Sequence, residues 1–239
     1  MTQPSTWPTI KSEALENYLK TIYQISAIGA EASVQEISVR IGVTAPAVSK
    51  MLRHLVKHHL VTQVPYQPAA LTPLGEAVAL EVIRHHRLLE LYLTETLGYG
   101  WEKVHEEAER LEHHISEEFE ASIERLLGFP EFDPHGDPIP TRDGKMPVPV
   151  TETLEMQVLD AHVVVRRVTD ENPELLCYLA ELGLRPGTAV HLLAREPFGG
   201  SLHVRIGERE VRVSPQAARN VFVERIVLGS TTIAALRVL

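Results

Sequence analysis

A single cysteine, Cys177, is all the thiol that this 239-residue chain has. That excludes an internal disulfide and a zinc site built on Cys ligands. Long apolar runs are missing as well, and no stretch approaches the roughly 18 residues that a membrane-crossing helix needs. The opening residues, MTQPSTWPTIKSE, hold no apolar signal core, so a cytoplasmic protein is expected. An excess of positive charge is lacking too. Lys and Arg number 23 against 32 Asp and Glu, a net charge of −9 with His neutral, so the whole chain does not read as a basic nucleic-acid binder. No internal repeat is apparent.

The length leaves room for one to three domains. With 44% hydrophobic and 23% charged residues, the composition is that of a globular protein. Charge is unevenly spread. Residues 1–60 carry six Lys and Arg against four Glu, whereas residues 102–124 carry nine Glu against Lys103 and Arg110. A basic front and an acidic middle imply different partners.

Within the acidic middle, Val104–Phe119 reads VHEEAERLEHHISEEF, a helix-compatible run. At about 100° per residue, His105, Glu109, Glu112 and His113 fall within a sector of roughly 100°. Imidazoles and carboxylates on one stripe suit Mn, Fe, Co, Ni or Zn. A solvated acidic face is the plainer reading of the same pattern.

Upstream, Ser12 caps an expected helix from Glu13 to Ala27, with Leu15, Tyr18, Leu19, Ile22 and Ile25 as its apolar stripe. A short helix opening at Ser33 or Val34, a turn at Gly42-Val43-Thr44 and a second helix over Ala45–His59 have helix-turn-helix spacing. Pro46 fits the first turn, where its missing N–H costs nothing. The second helix and its cap show Thr44, Ala47, Ser49, Lys50, Arg53 and Lys57, with no acidic side chain. Small residues at its start admit a major groove, and Lys and Arg reach phosphates or base edges. LVTQVPYQPAALTPLG reads as two short strands, a wing. A long helix follows from Pro73 to about Gly98, capped by Thr72, with His86 and Glu90 at i, i+4. Its surplus of apolar residues, among them Leu80, Ile83, Leu88, Leu91, Tyr92 and Leu97, suits either a dimer seam or burial within the chain.

Residues 130–149 hold six of the 16 prolines, a linker or extended crossover. Beyond them, short Val- and Leu-rich runs (AHVVVRRV, TAVHLLARE, SLHVRIGEREVRVS, NVFVERIVL) and one helix over Glu174–Leu182 predict a small β-barrel.

ENYLKTIY, HHRLLE, KVHEEAERLEHH and PHGDPIP together resemble the diphtheria toxin repressor family of metal-dependent transcription regulators. The resemblance covers nearly the whole chain. It implies an α+β protein: a winged helix-turn-helix domain over 1–74, a helical metal-binding and dimerisation domain over 75–129, a proline-rich linker over 130–150 and an SH3-like domain over 151–239. It places the primary metal site at Glu109, Glu112 and His113, with Asn17 from the first helix, and the ancillary site at His86, Glu90 and His105. In manganese-type members His86 can bridge into a two-metal cluster. Glu171 and Glu174 are the nearest candidates for ligands from the third domain.

Iron-type members carry Cys where Glu109 stands, and manganese-type members carry Glu. A carboxylate in place of a soft thiolate favours harder ions, so Mn2+ is expected first and Fe2+ next, with other transition ions binding in vitro. This chain departs from the manganese type at Asn17, where those members have Asp, and at Lys20, where they have Glu. Glu13 and Glu16 are the available substitutes. The resemblance also implies a homodimer on a palindromic double-stranded operator, contacted through Thr44, Pro46, Ala47, Ser49, Lys50 and Arg53, and no membrane. The expected function is a metal-gated regulator, a repressor rather than an enzyme. A regulator that binds DNA without metal, and a dinuclear metal hydrolase, are the alternatives.

Overall fold

The computed structural model of the chain describes residues 12–64, 67–169 and 172–226. Its first helix, α1 (Glu13–Ala27), starts where the Ser12 hydroxyl accepts the Leu15 N–H. Helix α2 (Val34–Ile41) is capped in the same way by Ser33 and ends at Gly42, whose φ of +74° is the left-handed conformation that glycine adopts without strain. Helix α3 (Ala45–Lys57) follows the turn, with Pro46 in its opening turn. It stops two residues short of the expected His59, where His59 takes φ 57°. Leu15, Leu19, Ile22, Ile37, Val48, Leu52 and Leu55 are buried in one core that ties the three helices together. Strands β1 (Val61–Thr62) and β2 (Ala70–Leu71) pair antiparallel as a minimal wing.

Thr72 caps α4 (Pro73–Leu97), its hydroxyl accepting the Gly75 N–H. A side chain at Gly75 would collide with the Leu60 carbonyl, 1.9 Å from an added Cβ, so α4 can start this close to the wing only on glycine. Leu80, Ile83, Leu88 and Leu91 of α4 are buried within the single chain, which accounts for most of that helix's apolar surplus, while Leu97 is exposed.

The acidic run does not stay helical to Phe119. Helix α5 spans Val104–Leu111, a turn follows at 112–114, and α6 restarts at Glu117–Leu126 behind a new cap, Ser116. The Ser116 hydroxyl accepts the Phe119 N–H, and that bond competes with helix continuation. Glu112 keeps one helical bond, its N–H donating to Ala108 O, and His113 lies in the turn. The single helical stripe of four ligand-type residues is therefore corrected to a helix plus the turn that ends it.

The described residues divide into two compact units. One holds α1–α3, the wing, most of α4 and α5, all of α6, and residues 139–147. The other includes residues 93–105, 132–138 and 148–226. The second unit is built on β3 (His162–Val168), α7 (Pro173–Leu182), β4 (Ala189–Arg195), β5 (Leu202–Ile206), β6 (Arg209–Val213), α8 (Pro215–Ala218) and β7 (Val221–Arg225). Its five strands form one antiparallel sheet in the order β6-β5-β4-β3-β7, over a core that includes Val163, Val165, Leu176, Leu192, Val204 and Val223. Among the described residues no helix is long and apolar enough to cross a membrane.

Candidate metal centre and nucleic-acid interface

Within the first unit, three segments converge on one polar cluster: α1, the middle of α4, and α5 with its terminal turn. The buried carboxylate at its centre is Glu112, with no exposed surface. The turn after α5 also carries His113. The His113 Nε2 atom lies 2.8 Å from Asn17 Oδ1 and 3.3 Å from Glu112 Oε1, and its Nδ1 lies 2.6 Å from Glu16 Oε2. Asn17 and Glu16 are on α1, so a side chain of the helix-turn-helix half reaches the donors of the α5 turn. An amide oxygen, a carboxylate oxygen and an imidazole nitrogen form a donor set suited to a borderline-hard divalent ion. The residues present therefore fit a metal at this position.

The other side of Glu112 faces α4. His86 Nδ1 lies 2.6 Å from Glu112 Oε2, and His86 Nε2 lies 3.0 Å from Glu90 Oε1. Glu90 is fully buried. Burial and the neighbouring Lys20 push the His86 pKa down, but Glu90 and Glu112 outweigh them and raise it to about 9.

Lys20 is the side chain that sequence reasoning set aside. Its Nζ donates to Glu109 Oε1 at 2.6 Å and to Glu112 Oε2 at 2.8 Å, and approaches His86 Nδ1 at 3.4 Å. A lysine four residues after Glu16 and three after Asn17 shares their face of α1. That spacing was the available signal, and it reads as a non-ligand until the carboxylates opposite are placed.

Of the remaining predicted ligands, His105 stands one turn before Glu109 on α5. Glu174 is exposed on the first turn of α7, and Glu171 lies outside the described residues.

A second buried polar group sits further along α4. Arg84 donates to Glu120 at 2.5 Å, to Glu124 at 2.5 Å and to the Pro140 carbonyl at 2.8 Å, binding α6 and residue 140 to α4. Burial raises the Glu120 pKa, but hydrogen bonds from His85 and Arg84 prevail and lower it to about 2. No pattern in the sequence announced this network.

On α3, Thr44, Pro46, Ala47, Lys50 and Arg53 are exposed and Ser49 is half-buried, while Val48, Leu52 and Leu55 face the core. The Thr44 hydroxyl makes no cap bond. Positions 46, 50, 53 and 57 form one outward stripe. This is the placement that a recognition helix needs.

A winged helix-turn-helix whose first helix joins a carboxylate–imidazole centre defines a DNA-binding protein built to respond to a cation. The comparisons with known proteins give the same class. Residues 12–69 match the model for the iron dependent repressor N-terminal DNA binding domain, residues 72–141 that for its metal binding and dimerisation domain, and residues 153–225 the FeoA domain. The chain is 32% identical over 207 residues to the diphtheria toxin repressor of Corynebacterium jeikeium, covering 77% of this chain and 86% of that one. It is 30% identical over 226 residues to the iron-dependent repressor IdeR of Mycobacterium tuberculosis, covering 90% and 98%. A solved manganese-dependent transcriptional repressor in complex with manganese superposes with a TM-score of 0.80 at 36% identity, over 89% of this chain and all of that one. The manganese regulator SloR gives 0.70 at 32% identity, over 89% and 98%.

The chain belongs to the diphtheria toxin repressor family of metal-dependent transcription repressors. It carries that family's DNA-binding, metal-binding and dimerisation domains, and it binds DNA as a homodimer rather than acting as an enzyme.

Proposed function

We propose that the chain is a cytoplasmic, manganese-responsive repressor of divalent-metal homeostasis. The observation that carries this reading is the convergence of Asn17 Oδ1 and Glu112 Oε1 on His113 Nε2, which links the DNA-binding half to the α5 turn. The primary ligands are Glu109, Glu112 and His113 with Asn17. The ancillary ligands are His86, Glu90 and His105, with Glu171 and Glu174 as further candidates in the last domain. A bound ion supplies a divalent positive charge among these donors. Holding α1 against the turn after α5 then fixes the attitude of α3, so metal and DNA affinities rise together.

The preference for Mn2+ over Fe2+ rests on the donor types, all nitrogen and oxygen, and on Glu109 in place of a thiolate. Relatives described as manganese-dependent are among the solved structures that it resembles. The domains are read as 1–74, 75–129 and 151–239 joined by a linker over 130–150. Thr44, Pro46, Ala47, Ser49, Lys50 and Arg53 read the operator.

The test titrates a fluorescent genomic fragment with the protein under anaerobic conditions, in EDTA and then with Mn2+ or Fe2+. Half-maximal activation at a lower free Mn2+ than free Fe2+ is expected. Activation by Fe2+ at the lower concentration contradicts the manganese assignment.

A further inference from the structure

We propose that the Lys20 ammonium is a built-in cation that occupies the position between Glu109, Glu112 and His86 Nδ1, so that this chain cannot assemble two metal ions sharing the Glu112 carboxylate. The inference rests on the metal reading of the Glu112–His113 cluster and concerns how many ions that cluster takes.

Glu112 presents its two oxygens to two different neighbours. Oε1 lies 3.3 Å from His113 Nε2, on the side where Asn17 stands. Oε2 lies 2.6 Å from His86 Nδ1. A bridging carboxylate between two imidazoles is the arrangement that pairs metal ions. On the His86 side, however, Lys20 Nζ lies 2.6 Å from Glu109 and 2.8 Å from Glu112 Oε2.

The Lys20 side chain is only 6% exposed and Glu112 is sealed completely, so moving the ammonium away would take one partner from a buried carboxylate. An ammonium at hydrogen-bonding distance from two carboxylates offsets one of their two negative charges and fills the space between them, and a divalent ion at coordination distance from the same oxygens would overlap and repel it. On the other side of Glu112, Oε1, His113 Nε2 and Asn17 Oδ1 are left to one ion, which Glu109 can join only through the oxygen that Lys20 does not hold.

The position also has a mechanical consequence. Lys20 is on α1, Glu109 is on α5, and Glu112 begins the turn that follows α5. The ion pair therefore holds part of the α1–α5 contact before any metal arrives, and the remaining ion adjusts a contact that already exists.

The full-length wild type, Lys20→Glu and Lys20→Gln are equilibrated with Mn2+ alone. Ions per chain are counted by native mass spectrometry, and the Mn2+ is examined by electron paramagnetic resonance. Circular dichroism establishes that each variant is folded. Wild type is expected to show the hyperfine sextet of isolated Mn2+, with both variants binding about one more ion per chain. Lys20→Glu should also show the exchange-coupled spectrum of paired ions. A coupled pair in the wild type, or the same ion count and isolated spectrum in all three, overturns the assignment. If no chain holds Mn2+, the metal reading beneath it falls as well, a result distinct from the other two. Lys20→Gln guards against the case in which a buried glutamate alone disturbs folding.

Discussion

Glu112 is surrounded by three partners that compete for two oxygens: Lys20, His86 and His113. Its removal leaves the buried Lys20 ammonium with Glu109 alone and the buried His86 imidazole with Glu90 alone, which is costlier than losing a surface ion pair. Glu112→Ala should therefore lower the metal-free unfolding free energy by about 3–5 kcal/mol, read from urea denaturation in EDTA. A change under about 1 kcal/mol would mean that the cluster is far better hydrated than its burial implies. The residue types of this cluster were legible in the sequence, because His and Glu at helical spacing are a chemical pattern. Lys20 was not, because a lysine discloses its role only when the carboxylates opposite it are located. The His86 pKa, raised to about 9, has a definite sign. Its stabilising contribution is complete below the unfolded value near 6.5 and is lost as pH rises through about 9.

At the scale of elements, α4 is the shared strut. It carries His86 and Glu90 for the centre and Arg84 for α6. The Arg84–Glu120–Glu124 group should make α6 docking acid-sensitive. Glu120 has its pKa lowered to about 2, so its contribution is present above the ordinary carboxylate value near 4.5 and fades as pH falls toward about 2. Arg84→Met should weaken that slope in acid-unfolding curves, since a guanidinium no longer holds the carboxylate charged. An unchanged slope would assign the acid response to other carboxylates.

In the helix-turn-helix, Gly42→Ala meets no atom within 4 Å and is opposed only by its φ of +74°. It should cost about 1 kcal/mol in thermal or chemical unfolding without moving the α3 contacts. A neutral or stabilising result would show that the turn relaxes.

The starts of α1, α2 and α4 were legible, because Ser12, Ser33 and Thr72 cap by local chemistry, whereas the restart of α6 behind Ser116 was not. Nor was the end of α5. The sequence keeps helical periodicity across Glu112 and His113, and only the competing Ser116 cap and the pull of the buried donors bring the helix to a stop. The strands of the last domain could be recognised by their Val-rich alternation, but their order β6-β5-β4-β3-β7 depends on long-range pairing that no local pattern encodes.

At the scale of the whole molecule, the proposed regulation couples metal binding to DNA binding. On the proposed reading, two copies of α3 in a twofold dimer would meet a palindrome, with Lys50, Arg53 and Lys57 displacing counterions from its phosphates. Arg53→Ala should weaken DNA binding and flatten the dependence of log affinity on log salt by about one unit per protomer if the contact is to phosphate. An unchanged slope with altered base preference would move Arg53 from backbone to base recognition. A net charge of −9 hides this interface, which is why the regional charge carried more information than the total.

The measurement that most directly tests the central claim is DNA-binding anisotropy on a genomic operator fragment, for the wild type and His113→Ala, in EDTA and in saturating Mn2+. The account predicts tighter binding by the wild type when Mn2+ is added, by roughly tenfold or more, and no such gain in the variant. Equal wild-type affinity with and without Mn2+ would contradict it and leave a winged-helix repressor whose α1–α5 contact is held by Lys20 and His113 without metal.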